Sequence, residues 1–159
     1  MARKLVYWDS NAFLGLINSS HEPENAVKCE AVWLAAEQGL VNIVTSTLTI
    51  SEVIYTKGKK KLDPAKRNNV SNFFKASHIL VRPLTREIAE RSRDVVWDTP
   101  IKPKDAIHVA TAAHFKIPEL HTLDSGLLSQ GNVQIDSFTV SLKEPGSDYQ
   151  LAAPLKEEE

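Results

Sequence analysis

"KLVYWDSNAFL", residues Lys4 to Leu14, decides how the chain is read. Leu5 to Trp8 is a β-type apolar run that stops on a carboxylate, Asp9, followed by Ser10 and Asn11. One reading makes Asp9 a helix cap, because Asp, Ser and Asn satisfy the free N–H groups at a helix start and an apolar helix over 11–17 can follow. The other makes Asp9 one wall of an acidic site, placed where a parallel strand ends. Both fit this stretch alone.

Outward from it, short apolar runs alternate with helical periods. Further strands are expected at Val41–Thr45, Ile79–Arg82 and Leu120–Leu123, with a weaker one near Gln134–Val140. Between them, Glu24–Gln38 carries Val27, Ala31, Leu34 and Ala35 on one predicted face, and Gly39 stops it. Helical segments are also expected at Thr47–Thr56, from Asp63-Pro64 to Phe74, at Thr85–Trp97, and at Pro103–Phe115, which is apolar almost all round and therefore buried. Strands alternating with helices predict an α/β fold with a parallel sheet. Trp8, Trp33 and Trp97 read as core or core-rim residues.

The 159 residues, 42% hydrophobic and 25% charged, suit one globular domain with a sizeable core. A single cysteine, Cys29, excludes an internal disulfide and fits a reducing compartment. The apolar run broken at Asp9 is too short for a signal sequence and no later run approaches a membrane span, so the expected location is cytoplasmic. The net charge of −1 hides a local excess. Residues 57–67, "KGKKKLDPAKR", hold six basic side chains, Lys57, Lys59, Lys60 and Lys61 among them, against Asp63. Such a run is either a solvated loop or a phosphate-contacting rim beside a cleft. After Leu142 come Pro145, Gly146, Pro154 and a terminal acidic triplet, so the domain is expected over 1–142 with a flexible tail at 143–159.

In open parallel sheets ligands gather at the carboxyl ends of strands, near the point where strand order reverses. Asp9 ends the first run and Asp124 ends "ELHTLD", so neighbouring central strands would set two carboxylates across one crevice. Glu52 lies in "STLTISEVIY", on a helix that Ser46 or Thr47 can cap. Ile50 and Ile54 mark its expected core side and leave Glu52 roughly opposite. Asp105 opens the alanine-rich segment after Pro103, where the helix dipole favours an anion. Acids converging on one pocket repel one another, and a hard divalent cation, Mg²⁺ or Mn²⁺, relieves that repulsion. Such a centre can activate water for attack on phosphorus, with Asn11 and Ser125 orienting water or phosphate around it. His108, one turn after Asp105, reads as a locally packed histidine before it reads as a ligand.

Three stretches, "VYWDSNAFL", "STLTISEVI" and "IKPKDAIHVATAAHFKIPELHTLDSGLL", together resemble the PIN-domain ribonucleases, especially the VapC-like toxins of toxin–antitoxin pairs. The resemblance spans roughly residues 3 to 140. It implies a three-layer α/β/α sandwich around a central parallel sheet. It also implies hydrolysis of single-stranded RNA by a metal-dependent endonuclease, with Asp9, Glu52, Asp105 and Asp124 sharing Mg²⁺ or Mn²⁺. An antitoxin partner and a homodimer belong to the same implication. A phosphatase of the haloacid-dehalogenase type fits less well, since it needs a second aspartate where Asn11 stands. A PIN-fold module that binds RNA or protein without cutting is the remaining alternative.

Overall fold

A computed structural model describes residues 3–18, 22–55 and 60–146. In chain order these form β1 (Lys4–Trp8), α1 (Ser10–Ile17), α2 (Pro23–Glu37), β2 (Val41–Ser46), α3 (Thr47–Glu52), α4 (Pro64–Lys75) and β3 (Ile79–Arg82). Then follow α5 (Arg86–Asp98), α6 (Pro103–His114), β4 (Glu119–His121), α7 (Ser125–Leu128), β5 (Asn132–Ile135) and β6 (Phe138–Lys143). Lys57, Lys59 and residues 147–159, the greater part of the expected tail, lie outside the described residues.

Helix boundaries follow local chemistry. Proline opens α2, α4 and α6, where its missing N–H has no partner to lose. Side chains of Ser46, Asp63 and Thr85 accept from the free backbone N–H groups of α3, α4 and α5. Gly39, at a φ of +79°, turns the chain from α2 into β2 in a conformation that side chains disfavour.

The six strands run in the order β3-β2-β1-β4-β6-β5, parallel throughout except for the antiparallel β5–β6 pair. The chain steps outward from β1 to β2 and β3, then returns to lay β4 on the other side of β1. Strand order therefore reverses between β1 and β4, the neighbours that precede Asp9 and Asp124. Alternation along β1 sends Val6 and Trp8 to one face, with Phe13, Cys29 and Val32 from α1 and α2. Tyr7 faces the other way, into a core with Ile88 and Val95 of α5 and Val109 of α6. Helices on both faces of the sheet make the three-layer α/β/α sandwich.

Several local expectations are corrected. In α2 the buried positions are Ala26, Cys29, Val32, Ala35 and Ala36, while Val27 and Leu34 are exposed. This helix is apolar on several sides, so its pattern could not single out the small-residue stripe that allows close packing. The helix expected over Thr47–Thr56 ends at Glu52 as α3 and its face is inverted: Ile50, and Ile54 just beyond the helix, are exposed, and Thr49 is buried. Trp97 is 71% exposed, its ring lying under the Arg93 guanidinium at 4.8 Å. The weak strand at 134–140 is a hairpin, turned at Asp136 with a φ of +52°. The sheet also continues past Leu142, since Lys143 pairs with His121, Glu144 bonds Lys28, and Pro145 and Gly146 are buried. Among the described residues no helix is long and apolar enough to cross a membrane.

Candidate active site

Each acid is placed by the end of an element. Asp9 follows β1 and caps α1, its Oδ1 accepting from the Ala12 N–H at 3.1 Å. Its own N–H reaches the His121 carbonyl of β4 at 3.4 Å. The cap uses one carboxylate oxygen only. Oδ2 is buried and has no hydrogen-bond partner. Burial pushes Asp9 up to about 6, against the lowering influence of His108, Thr122 and Ala12, and the charge of Asp105 adds to the rise.

Asp124 repeats the device after β4, capping α7 with Oδ2 on the Leu127 N–H at 3.3 Å. Thr122 Oγ1 accepts from the Asp124 N–H at 3.1 Å. Asp105 stands in the first turn of α6, half-buried, and shares with Asp124 a small cavity of about 110 Å³ beside Lys102. The Asp105 carboxyl is raised above its usual range first by burial and then by the charge of Asp124, with Glu52 adding to the rise and His108 opposing it. The four acids therefore act within one electrostatic field.

Glu52 ends α3 and points inward. Its Oε1 lies 2.7 Å from Nε2 of His108, whose Nδ1 lies 2.7 Å from the Tyr7 hydroxyl. Burial holds the Tyr7 phenol far above its usual range, so it is the neutral donor to Nδ1. The imidazole proton is thereby assigned to Nε2, where it donates to Glu52. Thr45 Oγ1, 2.7 Å from both the Trp8 carbonyl and Thr49 Oγ1, ties the end of β1 to β2 and α3.

Asn11 is half-buried and lines a cavity of about 320 Å³ together with Glu52. Ser125 begins α7 at the exposed rim, and Lys60 and Lys61 are exposed. Sequence reasoning missed Tyr7, Thr45 and Thr49, and it gave His108 no particular partner. The only available signal was His108 lying three residues after Asp105 on one helix face.

Among the described residues, no three carboxylate, imidazole or thiolate groups stand close enough together to hold one ion as they are placed. The donor chemistry still suits a hard cation: Asp9 Oδ2 is a buried orphan oxygen, and Asp105 is raised by two neighbouring acids.

The PIN domain family model matches residues 6–131. Among solved structures, the chain is similar to a VapC toxin of Mycobacterium tuberculosis that cleaves the sarcin–ricin loop. That likeness has a TM-score of 0.64 at 14% identity and covers 80% of this chain and 96% of the other. It is also similar to a chain of a toxin–antitoxin complex from Klebsiella pneumoniae, with a TM-score of 0.52 at 23% identity over 76% of this chain and 87% of that one. No curated protein matches the sequence significantly. At these identities the two structures share a fold with this chain.

Proposed function

The chain belongs to the PIN-domain family, and from that premise we propose that it is a metal-dependent endoribonuclease acting on single-stranded RNA, the toxin of a toxin–antitoxin pair. The observation that carries the reading is the crevice between β1 and β4. There the cap of α1 leaves Asp9 Oδ2 buried and unpaired in the field of Asp105, which in turn feels the charges of Asp124 and Glu52.

Asp9, Asp105 and Asp124 would hold Mg²⁺ or Mn²⁺, with Glu52 closing the set. A bound divalent cation supplies a water of lowered pKa and stabilises the charge on the leaving oxygen of the phosphodiester. The protein's part is positioning. The Ala12 and Leu127 N–H groups fix the Asp9 and Asp124 carboxylates, and His108 fixes Glu52. Asn11, the second residue of α1, can hold water or a phosphate oxygen beside them. The toxin–antitoxin neighbour supports a protein partner of the antitoxin class for this chain.

The test is cleavage of mixed structured and single-stranded RNAs in Mg²⁺, Mn²⁺ or EDTA, by wild type, Asp9→Asn and Asp105→Asn. Cutting that needs metal and vanishes in both folded variants is the expected result. A folded, metal-binding chain that cuts nothing in the panel favours the non-cutting RNA- or protein-binding module instead.

A further inference from the structure

Trp97 is the most exposed large apolar side chain among the described residues, and the acidic centre leaves it unexplained. It lies in the last turn of α5, with the Arg93 guanidinium 4.8 Å from the centre of its ring. An indole with an arginine over it is a combination on which unpaired bases stack. Among the described residues no other exposed large apolar side chain lies on α5 or α6, so the ring is not part of an apolar patch.

A short, pinned corner joins this ring to the acids. The Thr99 hydroxyl donates to the Val95 carbonyl at 2.7 Å and accepts from the Ile101 N–H at 3.2 Å. Ile101 is itself buried, which holds the chain between α5 and α6 in place. From Pro100 onward that chain lines the cavity of about 110 Å³ that Asp105 and Asp124 share. The steps from Trp97 to Pro100 span at most about 11 Å even when fully extended, a distance that a few nucleotides cover. Lys102 is the one basic side chain in the cavity wall. It is exposed, its side chain makes no cap bond to α6, and its charge is felt by Asp105. The neighbouring acids of α5 belong to another surface: Asp94, 3.7 Å from Arg93, and Asp98 line a separate cavity with Val133 and Gln134 of β5.

We propose that the corner between α5 and α6 is the track on which a single RNA strand approaches the acids. Trp97 stacks one base, and Lys102 meets a phosphate of the backbone leading from that base to the cavity of Asp105 and Asp124. The inference deepens the ribonuclease reading and rests on it. Acids alone repel an RNA strand, so a cation in the cavity wall and an aromatic ring before it supply attraction that the centre lacks. The strand must be unpaired there, because a base stacked inside a duplex has no free face to offer. A folded protein partner would want a continuous apolar face, and Trp97 stands alone.

The experiment is titration of the full chain with two octamers, one of adenosine ribonucleotides and one of abasic ribose phosphates of equal charge. Ca²⁺ replaces Mg²⁺ to neutralise the acids, and the octamers are checked to be whole afterwards. Trp8 is buried and Trp33 half-buried, so quenching of solvent-exposed indole emission reports Trp97. The adenosine octamer should quench it and bind about tenfold more tightly than the abasic one. Trp97→Ala should erase that margin, and Trp97→Phe should keep part of it. Lys102→Gln should weaken both octamers alike and reduce the slope of log affinity against log salt by about 0.7. Thermal unfolding checks that each variant is folded. Equal affinities for the two octamers, or a margin that survives Trp97→Ala, overturn the proposal. So does an unaltered salt slope in Lys102→Gln. Binding of neither octamer also overturns it and leaves Trp97 to a protein surface. Metal-dependent RNA cutting in Mg²⁺ is scored separately on the same variants. Cutting whose KM ignores both Trp97→Ala and Lys102→Gln removes the track and keeps the nuclease; a track without any cutting does the reverse.

Discussion

Asp9 shows how a residue can be a cap and something more. Its Oδ1 does the capping, and its Oδ2 is left buried without a partner. Burial raises its folded-state pKa from 3.8 to about 6, so the metal-free protein is destabilised as pH rises through that value. The associated stability is fully present below about pH 4 and is lost above about pH 6, with a magnitude of roughly 2–3 kcal/mol. Asp9→Asn removes the titration. Its stability relative to wild type, from urea unfolding in EDTA, should therefore rise by that amount between pH 4 and pH 8. A difference that stays flat with pH would show that the buried carboxylate carries no such penalty. His108 makes a second residue-scale case, because it joins Tyr7 to Glu52 by two bonds of 2.7 Å. Tyr7→Phe deletes one hydroxyl and leaves Nδ1 without its donor, at a cost of about 1 kcal/mol. If the phenol fixes the imidazole that fixes Glu52, kcat for RNA cleavage falls while KM holds. Unchanged cleavage kinetics in a folded Tyr7→Phe variant would make the phenol a packing group only.

Between elements, α1 lies close against α2 and the segment after β4 at Gly15. A methyl group added at Gly15 would lie 2.5 Å from Leu123 Cδ1 and 2.9 Å from Cys29 Sγ. Gly15→Ala therefore requires Leu123 and Cys29 to turn aside within a filled core, or α1 to shift, at a cost of about 1–3 kcal/mol. Because α1 starts at Asp9, a displacement of the helix would lower cleavage beyond what unfolding explains, whereas rotation of Leu123 alone would not; activity per folded molecule, measured well below the melting temperature, distinguishes the two. The element scale is also where the sequence was most readable. Prolines at helix starts, Asp63 and Thr85 as caps, and Gly39 at a stop all state their role within a few residues. What failed was the choice of faces. A six-residue α3 has too few turns to reveal its buried side, and its inward positions are Thr49 and Glu52, held by hydrogen bonds that hydropathy does not register. The β5–β6 hairpin hid because its turn uses Asp136 in the left-handed region where glycine would have announced it. The acids at strand ends were legible for the same reason that caps are. Tyr7 and His108 were not, since 101 residues separate them in the chain and only the fold brings them together.

Across the whole molecule, the β1–β4 junction that carries the acids rests on a second ionisable network. On the α2 side of the sheet, Trp8 Nε1 donates to His121 Nδ1 at 3.0 Å, and His121 Nε2 lies 2.6 Å from Glu119 Oε1. Glu119 also pairs with Lys4 at 2.8 Å and Lys143 at 3.3 Å, so one carboxylate links β1, β4 and β6. Burial alone would raise Glu119, but hydrogen bonds from His121 and Lys4 and the charges of His121 and Lys143 outweigh it and hold it at about 2. Burial likewise lowers His121, with Glu119 opposing. Both shifts have the opposite sign to that of Asp9. Glu119 stabilises the fold above its unfolded pKa of about 4.5, and that stability is lost as pH falls towards 2. His121 begins to withdraw its contribution below about 6.5. Acid therefore attacks the junction from the Glu119 side, and base strains it from the Asp9 side. Glu119→Gln should cost about 1–3 kcal/mol at pH 7, discounted for the half-exposed Lys4, and the cost should shrink as pH falls through 4. A cost independent of pH would mean that the lysines and His121 are held by shape, with Glu119's charge irrelevant. Metal-free wild type should be most stable on the acid side of neutrality, between these two opposing titrations. Saturating Mg²⁺, if the acids bind it, should move that optimum upward by removing the Asp9 penalty alone, and Asp9→Asn should show no such movement.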